Sequence, residues 1–332
     1  MCRIVVAAVK AGNEKVKSDV QRIASFGEKD WTPSTPQELC GRLLSTIYLG
    51  MKEQSSKETE SRAERLAKDI GANHMTVWID SGFQASRGFL AQGTGYDPKF
   101  AVHGGTNAEN LALQNIQARL RMVTAYSYAQ LIPTMQGRPG GGGLLVLGSG
   151  NVDECLRGYL TKYDCSSADI NPIGSISKVD LKKFIAWART EFDLPILQEF
   201  LDATPSAELT PHDPNAPQAD EEEMGLTYEE LSVLGRLRKE HRLGAVSMFD
   251  RLLHDWRDLH KPREIAEKVK RFHHFYRINR HKMTTMTPAY HAEEYSPDDN
   301  RFDLRPFLYP PFYSSWECKK IDEKLEALEK KA

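Results

Sequence analysis

Apolar residues in the first part of the chain recur at helical spacing, interrupted by short runs of β-forming residues. Pro36 to Met51 (PQELCGRLLSTIYLGM) sets Leu39, Leu43 and Leu44, then Ile47 and Leu49, largely on one helical face, which predicts a helix. Glu60 to Ile70 predicts a second helix with Thr59 as its cap, and Arg62 at the third helical position leaves that cap without the acid of a capping box. Gly71 stands where a left-handed glycine ends a helix. His74 to Asp80 (HMTVWID) is short and rich in β-formers, and an acid and Gly82 close it, so it predicts a strand. Asn107 through Gln130 predicts a long helix that starts at an Asn cap and is broken only by Pro133.

Five glycines around Pro139 fill residues 137–143 and suggest a phosphate loop. Such a loop follows a strand and opens a helix, whereas here the apolar run Leu144 to Leu147 comes after the glycines. The cluster reads as a flexible turn. The next stretch has the right order. Leu144 to Leu147 has the continuous apolar character of a strand buried on both faces of a parallel sheet. Gly148 to Asn151 then turns the chain, and Val152 to Tyr159 begins a helix with Asp153 and Glu154 in its first turn. A strand, glycine turn and helix at a sheet's carboxyl edge is where open α/β sheets bind ligands, although a plain tight crossover has the same pattern.

Residues 179–201 predict an amphipathic helix and its continuation, and Tyr228 to Arg271 predicts further helices separated near Gly244 and Pro262. Between them, 204–224 is rich in proline and acids and lacks periodicity, as expected of a mobile lid or connector. The expected division is a main domain over 1–295 and a C-terminal extension over 296–332, in which Ile321, Leu325 and Leu328 line a short helix.

The 332 residues are 40% hydrophobic and 27% charged, enough for a sizeable core in one large α/β domain or two smaller ones. Lys plus Arg number 44 against 46 Asp plus Glu, a net charge of −2 that gives no global reason to expect nucleic acid or an acidic membrane as partner. Mean hydropathy is −0.52. No apolar run approaches the roughly 18 residues of a membrane span. Met1 to Lys10 holds six apolar residues between two bases, too few for a secretory signal. These features predict a soluble, cytoplasmic protein. Five cysteines form no C-x-x-C pair and predict reduced thiols rather than a zinc site or a disulfide framework.

Three clusters carry candidate chemistry. Arg119 and Arg121 lie two apart on a predicted helix, so at most one faces a given site. Residues 161–172 (TKYDCSSADINP) are dense in short polar side chains that bond backbone groups, as in a rigid binding loop. Lys261 to Lys282 contains eight Lys or Arg with Phe272, Phe275 and Tyr276 interleaved. That pattern suits single-stranded nucleic acid, but its aromatics also have the helical spacing of a core, and a phosphate-bearing small ligand accounts for the charge as well. No nucleophile can be assigned from spacing, Cys165 included.

The stretches LVLGSGNVDE (145–154), RGYLTKYD (157–164) and SADINP (167–172) resemble NAD synthetases. The resemblance is to the C-terminal synthetase part of the eukaryotic glutamine-dependent enzymes, and it continues through GLTYEEL (225–231), NRHKM (279–283) and RFDLRPF (301–307). It implies a Rossmann-like adenine nucleotide α-hydrolase fold, a parallel sheet flanked by helices. It also implies ATP-dependent amidation of deamido-NAD, through an adenylylated intermediate, with ammonia released from glutamine. By position, Glu154 matches the family's magnesium-binding glutamate, and Ser149, Lys178 and Ser206 match ATP-contacting residues. Short bacterial members carry Thr where Ser149 and Ser206 stand, which keeps the hydroxyl. Arg119, Lys162, Asp169, His281 and Lys282 match positions that hold deamido-NAD, turning the basic cluster near 281 into a dinucleotide clamp. Homo-oligomers are implied as well, with neither nucleic acid nor membrane as partner.

The family's pyrophosphate loop, S-G-G-x-D-S, occurs nowhere among these residues. The resemblance therefore implies a chain cut before residue 1, without the first, central strand, its loop, or the glutaminase domain that precedes them. Such a chain is expected to expose strand edges, to be poorly stable, and to lack activity alone. Two alternatives remain: another ATP-pyrophosphatase of the GMP- or asparagine-synthetase kind, and a catalytically dead dinucleotide-binding or assembly subunit.

Overall fold

The computed structural model describes residues 1–206, 208–211, 220–287, 289, 308–309 and 315–331. In chain order its first elements are α1 (Cys2–Lys10), α2 (Glu14–Ala24), α3 (Pro36–Leu43), β1 (Ser45–Gly50), α4 (Lys57–Ile70) and β2 (Asn73–Trp78). Then come α5 (Asp80–Thr94), α6 (Asn107–Met135), α7 (Val152–Arg157), α8 (Lys178–Glu191) and α9 (Leu197–Asp202). The last are α10 (Asp220–Met224), α11 (Tyr228–Lys239), α12 (Ala245–Asp255), α13 (Pro262–Ile278) and α14 (Trp316–Glu329). They form two compact units, one of Met1–Val146 with Phe184–Gln218, the other of Leu147–Lys183 with Ala219–Ala332. The RFDLRPF stretch lies outside the described residues, as does much of 204–224 and of 296–332.

The first unit holds the sheet, β1 parallel to β2, in register from Ser45 opposite Asn73 to Gly50 opposite Trp78. The helix predicted over 36–51 is therefore two elements. Thr35 caps α3 through its hydroxyl to the Glu38 amide, Pro36 occupies the first turn, and Leu44 is already extended at ψ 121°. Ile47 and Leu49 are two apart, so the apolar positions that extend a helical face equally fit the alternation of a strand, and pairing with β2 decides between them. The α4 cap is Ser56 rather than Thr59, with the Thr59 amide 3.2 Å from the Ser56 hydroxyl. Gly71 ends α4 at φ 76°, as expected. The α6 cap is Thr106, closed by Glu109 into a capping box, and α6 runs through Pro133 to Met135. Buried Leu113, Phe83 and Phe100 pack against Met51 and Ile79, while a separate cluster joins Val6, Val20, Ala24 and Leu39.

The second unit is held by one larger core. Leu231 and Leu234 of α11, Met248, Phe249 and Leu252 of α12 and Val269, Phe272 and Tyr276 of α13 share it with Ile321 and Leu325 of α14. Each such side chain, fully buried, stabilises the fold by about 1.5–3 kcal/mol of transfer energy. The aromatics of the basic segment belong mainly here: Phe272 and Tyr276 stack with ring centroids 5.6 Å apart inside the core. Among the described residues no helix is long and apolar enough to cross a membrane.

The strand predicted at Leu144 to Leu147 is a further correction. Its only ladder contact among the described residues is a parallel bridge from Leu147 to Ile170. Leu145 is 71% exposed and Leu147 50%. A strand needs a row of partners, and here one bridge stands in place of a ladder.

Candidate functional site

The second unit builds its polar centre from the turn that opens α7. Gly148 donates its amide to the Ile170 carbonyl at 2.8 Å, anchoring the turn. Asn171, buried beneath it, donates to the Gly150 carbonyl at 2.8 Å. Asn151 then caps α7, accepting from the amides of Asp153 and Glu154 at 3.0 Å each. Glu154 closes the capping box, its Oε2 accepting from the Asn151 amide at 3.3 Å. The first turn of α7 is thus fixed at both ends of the box, and Glu154 has a defined direction.

α8 is clipped to the same turn. Asp153 Oδ2 accepts from the Lys178 amide at 2.8 Å, Ile176 accepts from the Val152 amide at 3.1 Å, and Ser177 caps the helix through the Asp180 amide at 3.1 Å. Lys178, the first residue of α8, lands with its Nζ 3.4 Å from Glu154 Oε1. Buried Tyr228, at the start of α11, donates its hydroxyl to that same oxygen at 2.8 Å. The Tyr228 hydroxyl is also 3.1 Å from Asp220 Oδ2, and Tyr159 donates to Glu223 at 2.6 Å. Burial, with Glu154 and Asp220 alongside, pushes the Tyr228 phenol far up, so it remains a donor. Burial also raises the Asp220 carboxyl, against the lowering effect of the Tyr228 hydrogen bond.

A second cluster gathers where α7 ends. Gly158 takes φ 78°, and a Cβ there would lie 2.3 Å from Asn279 Cβ, so the turn requires glycine. Lys282 donates its ammonium to the carbonyls of Gly158 at 2.7 Å and Leu160 at 2.6 Å. It thereby satisfies carbonyls just past the helix end. Burial depresses its pKa to about 8, partly opposed by Asp164. His281 is lowered by burial and by the neighbouring charges of Lys162 and Lys282. Lys162 stands 5.5 Å from the centre of the Tyr163 ring, and Tyr163 holds a left-handed φ of 72°, costly for an aromatic residue. Buried Arg157 lies over the Phe275 ring at 3.9 Å from its centroid.

The residues singled out from sequence thus fall into groups. Glu154 and Lys178 form a contact pair, Ser149 is exposed in the turn before α7, and His281 neighbours both Lys162 and Lys282. Asp169 is exposed in the polar loop of the same unit. Arg119 and Ser206 belong to the other unit. There Arg119 is exposed on α6, while Arg121 is turned inward, donating to the Leu49 carbonyl at 3.0 Å. Sequence reasoning missed Tyr228, Asp220 and Tyr159. One signal existed for the first: Thr227 and Glu230 make a capping box that fixes Tyr228 at the opening of α11.

Among the described residues no group of three or more His, Cys, Asp or Glu is arranged to hold a metal ion. The donor set instead fits a magnesium ion that brings its own ligands. Magnesium is commonly held by one or two carboxylates plus phosphate oxygens and waters, and Glu154 offers a half-buried carboxylate with a lysine ammonium beside it. The ion would lower the negative charge of a bound phosphate chain.

A carboxylate and an ammonium set where a glycine turn opens a helix suit a phosphate-bearing ligand. Residues 34–285 match the NAD synthase family, and the chain belongs to it. It is 55% identical over 329 residues to the glutamine-dependent NAD(+) synthetase of Saccharomyces cerevisiae, with 99% of this chain and 46% of that protein covered. With the Homo sapiens glutamine-dependent NAD(+) synthetase the identity is 54% over 331 residues, covering 99% of this chain and 46% of that protein. The chain therefore spans about half the length of these curated relatives. A crystal structure of a glutamine-dependent NAD(+) synthetase from Cytophaga hutchinsonii superimposes with a TM-score of 0.72 at 20% identity, covering 97% of this chain and 49% of that one. Together these show the Rossmann-like adenine nucleotide α-hydrolase fold expected from sequence.

Proposed function

We propose that the chain is the amide-forming part of a glutamine-dependent NAD synthetase and acts in the cytoplasm. Deamido-NAD presents a nicotinate carboxylate, a poor acyl donor until its oxygen becomes a leaving group. ATP supplies that group by adenylylation, with pyrophosphate released. Ammonia, derived from glutamine, then displaces AMP and leaves NAD. The reading rests on the Glu154–Lys178 pair, held at 3.4 Å on a doubly capped turn. The ammonium suits a phosphate oxygen, and the carboxylate suits the accompanying magnesium. Ser149 and Ser206 are assigned to ATP in the same reading. Lys162, Asp169, His281, Lys282 and Arg119 are assigned to deamido-NAD, and a homo-oligomer is the expected assembly.

For these 332 residues alone the reading expects binding without turnover. Calorimetric titration tests it with Mg-ATP and deamido-NAD in separate runs. Saturable binding of both is expected, with Glu154→Ala weakening Mg-ATP and Asp169→Ala weakening only the dinucleotide. Wild-type chain that is folded and binds neither would refute the assignment. Sustained NAD formation from ammonia would refute the expectation of inactivity while strengthening the assignment itself.

A further inference from the structure

Glu154 does not hold its position unaided. Its Oε2 is tied to the Asn151 amide by the capping box, and its Oε1 accepts from the Tyr228 hydroxyl at 2.8 Å, a closer contact than the Lys178 ammonium at 3.4 Å. The same ring lies under Lys178, whose Nζ is 5.0 Å from the ring centroid, a cation–π distance. Tyr228 is 1% exposed, and the Thr227–Glu230 capping box fixes its backbone at the opening of α11. Glu230 in turn is 8% exposed and tied to Lys268 and His260, each at 2.8 Å. One rigid side chain therefore contacts both charged groups of the site, one through its hydroxyl and one through its ring face.

We infer that Tyr228 is the positioning residue of the nucleotide site, with its hydroxyl aiming the Glu154 carboxylate and its ring seating the Lys178 ammonium. This deepens the nucleotide reading above and rests on it for the identity of the ligand. The two contacts are separable chemically. Removing the hydroxyl alone takes away the closest contact of Oε1 and leaves the ammonium's seat intact, whereas removing the ring disturbs both. Asp220 Oδ2, also within 3.1 Å of the hydroxyl, competes for the single phenolic proton. The hydroxyl can serve one carboxylate fully at a time, so freeing it from Asp220 should strengthen its hold on Glu154.

The test uses the whole chain as wild type, Tyr228→Phe, Tyr228→Leu and Asp220→Asn, titrated calorimetrically with ATP in the presence and absence of magnesium. Tyr228→Phe should lose about tenfold in Mg-ATP affinity, the scale of one hydrogen bond to a charged group, while metal-free ATP binds as to wild type. Tyr228→Leu should weaken both forms, and Asp220→Asn should keep Mg-ATP binding at least at the wild-type level. Equal loss of both nucleotide forms in Tyr228→Phe would make the role merely structural and overturn the inference, as would no loss at all. Amide hydrogen exchange across Asn151–Arg157 without any ligand gives an independent readout. Faster exchange in Tyr228→Phe than in wild type supports the inference, and equal exchange overturns it. Wild-type chain that binds no nucleotide refutes the functional reading by itself, and the exchange comparison still decides whether Tyr228 positions Glu154.

Discussion

The two compact units solve the problem of burying their apolar residues differently. The second gathers α11, α12, α13 and α14 around one continuous core that includes Val152 and Leu156 of α7. The first divides its buried residues between the cluster under the two-stranded sheet and the cluster of α1, α2 and α3. It also leaves large apolar side chains uncovered, among them Phe89, Leu111, Val123, Leu131 and Met135, each more than half exposed. The difference shows what precision costs. The groups with the best-defined geometry, Glu154, Lys178 and Tyr228, are mounted on the unit whose core is continuous, because a polar side chain is only as fixed as the helix that carries it.

The sharpest way to break this comparison is to cut a cavity in each unit. Leu234→Ala, in the continuous core, should cost about 3–5 kcal/mol in urea unfolding, because close-packed neighbours cannot collapse into the space. Leu113→Ala, in the smaller cluster, should cost less, about 2–3 kcal/mol. A cost for Leu113→Ala equal to or above that for Leu234→Ala would end the distinction. Gly158→Ala comes next. It forces a side chain into a left-handed turn and against Asn279, and about 2 kcal/mol or more should be lost, with the Lys282 contacts disturbed as well. Asn151→Ala removes the α7 cap and should cost about 1 kcal/mol in stability, a modest change by thermal unfolding. Its effect on Mg-ATP affinity should be larger than that stability loss suggests, since the cap also directs Glu154.

A further expected effect is a pH dependence. The Lys282 pKa is depressed to about 8 in the folded chain from an ordinary lysine value of 10.5. Below about pH 8 both states carry the proton, and the burial penalty is fully present. Between about pH 8 and pH 10.5 the unfolded chain binds more protons than the folded one, so this group's contribution shifts towards stability as pH rises. The neutral amine still has two N–H groups for the Gly158 and Leu160 carbonyls. Urea midpoints measured across that range for wild type and Lys282→Met should diverge with a positive slope for wild type; parallel curves would show that Lys282 titrates normally.

Much of this architecture was legible in the sequence where one signal acted alone. Gly71, the strand predicted over 74–80 and the helices from 228 onward follow from local residue types and spacing, and the structure has them, although the strand stops at Trp78 and Asp80 already opens α5. Errors arose where two periodicities shared the same residues, as at 36–51, or where partners decide the outcome. Leu144 to Leu147 reads as strand from its own composition, but a strand exists only through the residues it pairs with. The site was half visible. Glu154 is visible through the resemblance, which matches it to the family's magnesium-binding glutamate, whereas Tyr228 is 74 positions away in sequence and meets it only through the packing of α7 against α11. Asp220 was hidden for another reason: the acid run at 220–223 reads as the end of a mobile lid or connector, yet it forms α10 and Asp220 is only 6% exposed.

The central claim is that the α7 turn, with Glu154 and Lys178, receives the phosphate chain of ATP. Hydrogen–deuterium exchange of the wild-type chain with and without saturating Mg-ATP tests it most directly. The account predicts slowed exchange in peptides covering 148–157 and 176–183, with a smaller effect at the start of α11. Unchanged exchange in both stretches, under conditions where calorimetry shows the nucleotide bound, would contradict it and place the nucleotide elsewhere on the chain.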